Sequence, residues 1–327
     1  MKGAVLAADE VLPPDGAVPP PWPARKVTIN GTMLHVRDTP ATAPGAEPAV
    51  YVHGLGGSSQ NFTDLAALLA GYLDAHAVDL PGFGYSDPSR RYSIAAFADR
   101  LIGCLEHADR GPVHLVGNSL GGSICVRVAA LRPDLVRTLT LISPAMPFLD
   151  PRRTAQAPVL PLLALPRADR IFAWGMARLT AEEMAEQVML ACFGDTGKVN
   201  EQRRAEAIEE IRLRHTVAHY PQAYLGTLRG LVSSFLRAYL PGAGSQWRLA
   251  ARITAPTLVI GGLRDELVDP RVPAQVAKVI PDSRLLILPG VGHVPQMEVP
   301  RLVARAIAGL LEERAAERAE GADAERL

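Results

Sequence analysis

One serine of the chain stands in a setting that suits a nucleophile. Residues 117–121 (GNSLG) follow a mostly apolar run, 113–116 (VHLV), and precede a helical pattern. In such a strand–turn–helix setting, a sharp turn can hold a serine oxygen out at the edge of a sheet. Glycines beside the serine remove side chains that would collide in a strained turn. We therefore predict Ser119 as a nucleophile.

A histidine and an aspartate later in the chain could activate that serine. A serine hydroxyl needs a base to take its proton, and the base needs an anion to fix its tautomer. His293 ends a glycine-rich loop (290–293, GVGH), and Asp265 is the first carboxylate after another apolar run. The order serine, acid, histidine is a known order for such a triad. We predict His293 as the base and Asp265 as the orienting acid, with Glu266 and Asp269 as rival acids.

A glycine-rich loop early in the chain could supply backbone N–H groups to a developing oxyanion. Residues 53–57 (HGLGG) follow a short apolar run. An oxyanion hole needs two N–H groups aimed at one point, and the start of a helix presents such groups. We predict the N–H groups of Leu55 and Leu120 for this role. The residues expected beside the bound substrate here are Gly54 and Asn118.

The elements that position these residues alternate along the chain. Apolar runs alternate with helical patterns, which predicts a parallel sheet with helices on both faces. An Asn30-Gly31 pair between two short runs predicts a hairpin near the start. From about 145 to 246 only helical patterns occur, the clearest at 221–239. This insertion between two strands predicts a helical cap over the carboxyl edge of the sheet, where ligands bind.

Apolar residues of the predicted cap could form the wall of an acyl pocket. The candidates are the run 158–166 with Phe172, Trp174 and Met176. Val294, next to the predicted base, is a candidate contact from the opposite side. The competing interpretation is that these cap residues only pack the cap onto the core.

The two ends of the chain differ in composition from its middle. Six prolines between residues 13 and 23 disfavour helix and favour an extended path. The last residues are charged and rich in alanine. The predicted organisation is a proline-rich tail (1–25), a first core part (26–144), the cap (145–246), a second core part (247–313) and a charged tail (314–327).

Composition argues against several classes of function. Lys+Arg and Asp+Glu both number 34, so no basic surplus points to a nucleic-acid partner. No run approaches the roughly 18 apolar residues of a membrane span. Three scattered cysteines argue against a disulfide framework and fit a cytoplasmic location. His215 and His219 have metal-ligand spacing but no evident third ligand, so we predict neither a metal nor a cofactor.

Together, these motifs resemble those of the α/β-hydrolase superfamily, in its capped branch with a serine nucleophile. Residues 79–86 (DLPGFGYS) resemble that family's loop after the fourth strand, and residues 292–298 (GHVPQME) resemble its histidine loop. The resemblance covers roughly residues 26–145 and 247–311. It implies the α/β-hydrolase fold, a mostly parallel eight-stranded sheet with a helical cap after strand 6 and the acid after strand 7.

The triad and the resemblance predict a serine hydrolase of small to medium, largely apolar carboxylic esters. The serine argues against haloalkane dehalogenases and epoxide hydrolases, whose nucleophile is an aspartate. The main alternative is a C–C bond hydrolase of vinylogous diketones, which this chain resembles in Asn118 and in its cap. Those enzymes typically carry a tryptophan where this chain has Val294. Acyl transfer, perhydrolysis and a ligand receptor that retains the triad are further alternatives. The expected partner is a small-molecule ester, and the oligomeric state stays open.

Overall fold

A mixed sheet runs through the centre of the protein. The structure, a computed structural model, describes residues 1–14, 16, 18–148, 165, 167–240 and 245–324. Nine strands occur in those residues: β1 (Lys2–Gly3), β2 (Ala24–Ile29), β3 (Thr32–Thr39), β4 (Glu47–Val52), β5 (Leu73–Val78), β6 (Val113–Asn118), β7 (Val136–Ile142), β8 (Thr257–Gly262) and β9 (Ser283–Leu288). Their order across the sheet is β1-β9-β8-β7-β6-β4-β5-β3-β2. Only β3 pairs antiparallel, with β2 and with β5.

Helices cover both faces of this sheet, which confirms the predicted fold class. They are α1 (Thr63–Leu69), α2 (Ile94–Ala108), α3 (Leu120–Leu131), α4 (Ala168–Met176), α5 (Ala181–Cys192), α6 (Glu201–Thr216), α7 (Tyr220–Arg237), α8 (Gln246–Ala250), α9 (Val272–Val279), α10 (Pro295–Glu298) and α11 (Pro300–Ala324). Alternate residues of β4 belong to two separate hydrophobic clusters. One cluster includes residues of α2, α3, α8 and α9, and the other includes residues of α1 and α11.

The central strands are buried along their whole length. Strands β6 and β8 are buried at every position. Parallel strands covered on both faces have no polar side, so they read as continuous apolar runs rather than as alternating ones. At the edge of the sheet, Asn30 and Gly31 have φ values of 46° and 75°, as a tight turn between β2 and β3 requires.

A helical segment lies between β7 and β8, where the sequence predicts the cap. It contains α4 to α7, and β7 is the sixth of the eight longer strands. Helices α5 and α6 pack on each other through a small cluster that includes Met189 and Ile211. Helix α7 contacts the core closely, because a Cβ added at Gly226 would lie 2.8 Å from the ring of Tyr92. The candidate pocket residues 158–166, apart from Leu165, lie outside the described residues.

The N-terminal residues differ from the predicted free tail. Strand β1 extends the sheet by pairing parallel with β9, and Ala7 and Leu12 are buried. The Asp9 carboxylate accepts hydrogen bonds of 2.8 Å from Arg301, and Trp22 Nε1 donates to the Thr63 carbonyl at 3.1 Å. The described residues of 2–22 (2–14, 16 and 18–22), which we call the N-terminal arm, therefore lie against the protein rather than away from it.

The C-terminal helix α11 continues well past the predicted end of the core at residue 313. Ion pairs hold this extension, since Glu313 contacts Arg284 at 2.6 Å and Arg318 contacts Glu47 at 3.1 Å. None of the helices in the described residues has both the length and the apolar character that a membrane crossing requires.

Candidate active site

Ser119 lies in a compressed turn between β6 and α3. Its backbone has φ 55° and ψ −117°, a conformation that a residue with a side chain adopts only at a cost of about 1–3 kcal/mol. The flanking glycines make the turn possible. A Cβ added at Gly117 would lie 2.6 Å from Gly121, and one at Gly121 would overlap the backbone of Val52. The turn therefore presents Ser119 at the carboxyl end of β6.

His293 and Asp265 lie together at the same edge of the sheet. His293 Nδ1 is 2.9 Å and 3.0 Å from the two carboxylate oxygens of Asp265, and both side chains are buried. The same carboxylate accepts backbone N–H bonds of 2.9 Å from Leu267 and Val268, which fix its position. Because an anion faces Nδ1, that nitrogen carries the hydrogen and Nε2 is left to accept a proton.

The rival acids are placed differently. Asp269 accepts hydrogen bonds from Arg271 at 2.7 Å and 2.8 Å, and Glu266 is exposed. Of the three candidates, Asp265 is thus the carboxylate that the structure brings to His293.

Several hydrogen bonds hold the loop that carries His293. The His293 N–H donates to the Cys192 carbonyl at 2.7 Å, and Asn118 Nδ2 donates to the His293 carbonyl at 3.2 Å. A buried carboxylate, Glu298, accepts from the N–H groups of Gly292 at 2.8 Å and Gly194 at 3.0 Å. Sequence reasoning did not single out Glu298, although it ends the segment that resembles the family's histidine loop.

The two predicted oxyanion donors lie beside the serine. Leu120 is the first residue of α3, where a helix leaves its N–H groups without an intrahelical acceptor. Leu55 lies in the loop after β4, and that loop approaches Ser119 so closely that a Cβ on Gly54 would be 3.0 Å from Ser119 Cβ. His53 is fully buried, and its Nε2 accepts from the Leu80 N–H at 2.9 Å. Burial lowers the pKa of His53, so this histidine shapes the loop in its neutral form.

A large cavity meets Ser119 and His293. Its volume is about 1010 Å³. The predicted substrate contacts that line it are Gly54, Asn118, Phe172 and Val294, and Met176 lines it as well. Phe172 stacks on Tyr224 with ring centroids 5.1 Å apart.

Trp174, the remaining predicted substrate contact, does not line the cavity. Its side chain is 59% exposed, and the guanidinium of Arg178 lies 3.4 Å from its ring centroid. Residues 172 and 176 share one face of α4 because they are four positions apart, whereas residue 174 points to the opposite face. An apolar pattern in a short amphipathic helix did not reveal which face is covered.

A polar pair in the cavity wall was also not foreseen. Glu210 and Arg214 lie one turn apart on α6, with Arg214 Nη2 3.3 Å from Glu210 Oε2. Ser58 Oγ donates a second hydrogen bond to Glu210. Burial raises the pKa of the Glu210 carboxyl. In sequence this pair is an ordinary i, i+4 ion pair on a charged helix, which gives no sign of burial.

No group of three or more metal-ligating side chains occurs within the described parts of the chain. The site as described therefore consists of a strained serine, a histidine–carboxylate pair, nearby backbone N–H groups and a largely apolar cavity with a polar pair in its wall.

Known proteins share features of both the sequence and the fold. The family model for the alpha/beta hydrolase fold matches residues 48–300. A dihydrolipoyllysine-residue acetyltransferase component of the acetoin cleaving system of Pseudomonas putida is 27% identical over 85% of this chain, which spans 66% of that relative's length. Lipase 1 of Psychrobacter immobilis is 27% identical over 77% of this chain and 73% of the lipase. The structure of a thermophilic esterase from Thermogutta terrifontis superposes with a TM-score of 0.67 at 23% identity, covering 89% of this chain and 98% of the esterase.

Proposed function

This chain belongs to the α/β-hydrolase fold family, and from that premise we propose that it is a serine hydrolase of carboxylic esters that forms an acyl-enzyme. One observation carries the proposal. His293, backed by Asp265 at 2.9 Å, and the strained Ser119 line the same cavity. A lipase among the relatives supports hydrolysis as the reaction class.

The proposed reaction has two halves. Ser119 Oγ attacks the ester carbonyl carbon while His293 Nε2 takes the serine proton, and Asp265 stabilises the imidazolium. The N–H groups of Leu55 and Leu120 hold the oxyanion of the tetrahedral intermediate. This intermediate collapses as the alcohol leaves with the proton from His293, so Ser119 retains the acyl group. Water then gives a proton to His293 and attacks the acyl carbonyl, which releases the acid and restores the serine.

The cavity favours substrates with a largely apolar acyl group. Leu55, Phe172, Met176 and Val294 are among the apolar residues that line it, and largely apolar walls are typical of sites for small organic ligands. The side-chain amide of Asn118 donates hydrogen bonds to the Ile142 and His293 carbonyls, so Asn118 does not indicate a particular substrate class. That contact holds the histidine loop, which an ester hydrolase and a C–C bond hydrolase need alike, so Asn118 does not decide between them.

The test compares wild type with Ser119→Ala on p-nitrophenyl butyrate and on a vinylogous diketone. We expect multiple turnovers of the butyrate by wild type, and a kcat at least about 10³-fold lower for Ser119→Ala with an unchanged urea midpoint. Efficient cleavage of the diketone without ester turnover would replace the proposal by C–C hydrolysis. A single burst followed by tight retention of product would replace it by a receptor function.

A further inference from the structure

The cavity extends far beyond the triad, along one face of helix α6. The α6 residues that line it recur every three or four positions or lie next to such a position, so they share one face of the helix. They are Arg203, Ala207, Glu210, Ile211 and Arg214. Arg203 and Arg214 are eleven positions apart. At 1.5 Å per residue, this face runs for about 16 Å.

Contacts fix which end of α6 lies near the triad. At one end, Glu210 accepts from Ser58, which follows the glycine-rich loop, and Arg214 lies 5.8 Å from the Tyr220 ring. A Cβ on Gly56 in that loop would lie 3.4 Å from the Tyr220 hydroxyl. At the other end, Arg203 binds Asp64 on α1 at 2.6 Å and 2.9 Å. The face therefore leads from the predicted oxyanion loop outward along α1.

The N-terminal arm lies at the far end of this path. Arg203 Nη2 donates to the Pro19 carbonyl at 2.8 Å, and Arg301 Nη1 donates to the Pro13 carbonyl at 2.8 Å. Arm residues that line the cavity there include Pro13, Pro14, Val18 and Pro19. The arm precedes the region that the family model matches, which begins at residue 48.

We propose that this path binds the acyl chain of the substrate and that the N-terminal arm sets the upper limit of chain length. The inference rests on the proposed ester hydrolysis and names its substrate class. A C–C bond of about 1.52 Å at a tetrahedral angle advances an extended chain by roughly 1.25 Å per carbon. The stretch of about 16 Å along α6 from Arg214 to Arg203 therefore holds about a dozen carbons, so dodecanoyl is the acyl length to test.

The first test shortens the path from within. Ala207 lies seven positions from Arg214, which is about 10 Å or roughly eight carbons along the path. Ala207→Phe should fill the path there. Its matched control is Ala205→Phe on the same helix, because Ala205 is exposed and lies outside the residues that line this cavity.

Both variants are assayed on p-nitrophenyl esters from C4 to C16. Burying a methylene is worth about fourfold, so wild-type kcat/KM should rise at least about tenfold from butanoate to dodecanoate and stop rising by hexadecanoate. Ala207→Phe should lose at least about tenfold on dodecanoate and far less on butanoate, whereas Ala205→Phe should keep the wild-type profile. Equal profiles for the two variants, or a wild-type profile that falls from butanoate onward, would overturn the inference.

The second test addresses the arm. Val18→Trp narrows the far end, and its control, Val11→Trp, changes an exposed valine of the same arm that does not line the cavity. Val18→Trp should lower kcat/KM on dodecanoate by about tenfold and leave octanoate near the value of the control. Identical preferences in the two arm variants would show that the arm does not limit chain length.

A binding measurement separates this inference from the proposed reaction. Titration of dodecanoate into Ser119→Ala, by calorimetry, should give a Kd at least about tenfold lower than for the double variant Ser119→Ala, Ala207→Phe. This difference supports the acyl site even if ester turnover does not depend on Ser119. Equal affinities, with ester turnover still dependent on Ser119, would refute the acyl site and leave the hydrolase intact.

Discussion

We predict that the buried carboxylate of Glu298 holds the loop that carries His293 in position. Its side chain is fully buried, and it accepts from the N–H groups of Gly292 at 2.8 Å and Gly194 at 3.0 Å. Glu298→Ala leaves both N–H groups without this acceptor. Each buried group that loses its partner costs about 1–3 kcal/mol, so the free energy of unfolding should fall by about 2–6 kcal/mol.

The same change should lower activity. Gly292 precedes His293, and displacing a catalytic group by about 1 Å can cost about 10²-fold in rate. We expect kcat on p-nitrophenyl butyrate to fall by about 10-fold to 10²-fold, with a smaller change in KM. Urea unfolding followed by circular dichroism gives the stability, and steady-state assays give the rates.

Lys198→Ala provides the matched control for Glu298. Lys198 Nζ lies 3.2 Å from the Glu298 carboxylate, but the lysine side chain is 37% exposed. Removing Lys198 should cost less than Glu298→Ala, because the Glu298 carboxylate keeps its two N–H donors. If Glu298→Ala proves as mild as Lys198→Ala in both assays, the carboxylate does not position the histidine loop and this reasoning is wrong.

Two further predictions concern the other carboxylates. Asp265→Asn should lower kcat by about 10³-fold to 10⁴-fold, because the imidazole loses its orienting anion. Asp269 is paired with Arg271, so Asp269→Asn should change kcat by less than about threefold. A large loss of kcat in Asp269→Asn, measured in steady-state assays, would reverse the assignment of the acid. Burial raises the pKa of Glu210 above the usual 4.5, so its contribution to stability is present below that pH and is lost as pH rises through the raised value. The free energy of unfolding of wild type relative to Glu210→Gln should therefore fall from about pH 4 to pH 7 in urea titrations, and a difference that grows with pH would contradict the burial argument.

The sheet and the serine turn could be predicted because their sequence signals are local. Strands β6 and β8 are buried on both faces, so they appear as mostly apolar runs rather than as alternating ones. Close contacts with the adjoining backbone require glycine around Ser119, so the glycine spacing in the sequence directly indicates this turn. Asp265 followed from its place after β8, the strand next to β9 in the sheet.

Residues whose role depends on distant contacts could not be predicted. Glu298 and Arg214 are ordinary charged residues in sequence, and their burial depends on how separate segments pack. The N-terminal arm has no helical or strand periodicity, because prolines set its path and its contacts are with Arg203 and Arg301 far along the chain. Trp174 is a different case, since its helix has an apolar pattern but presents that side chain to solvent.

The central claim is that Ser119 is the nucleophile, and an irreversible fluorophosphonate probe tests it most directly. The probe forms a covalent phosphonate ester with an activated serine, so peptide mass spectrometry can locate it. We expect one probe per chain, on Ser119, with ester hydrolysis lost in proportion to labelling and no labelling in His293→Ala within the same time. Labelling of another residue that abolishes hydrolysis, or full labelling of Ser119 with hydrolysis retained, would contradict it.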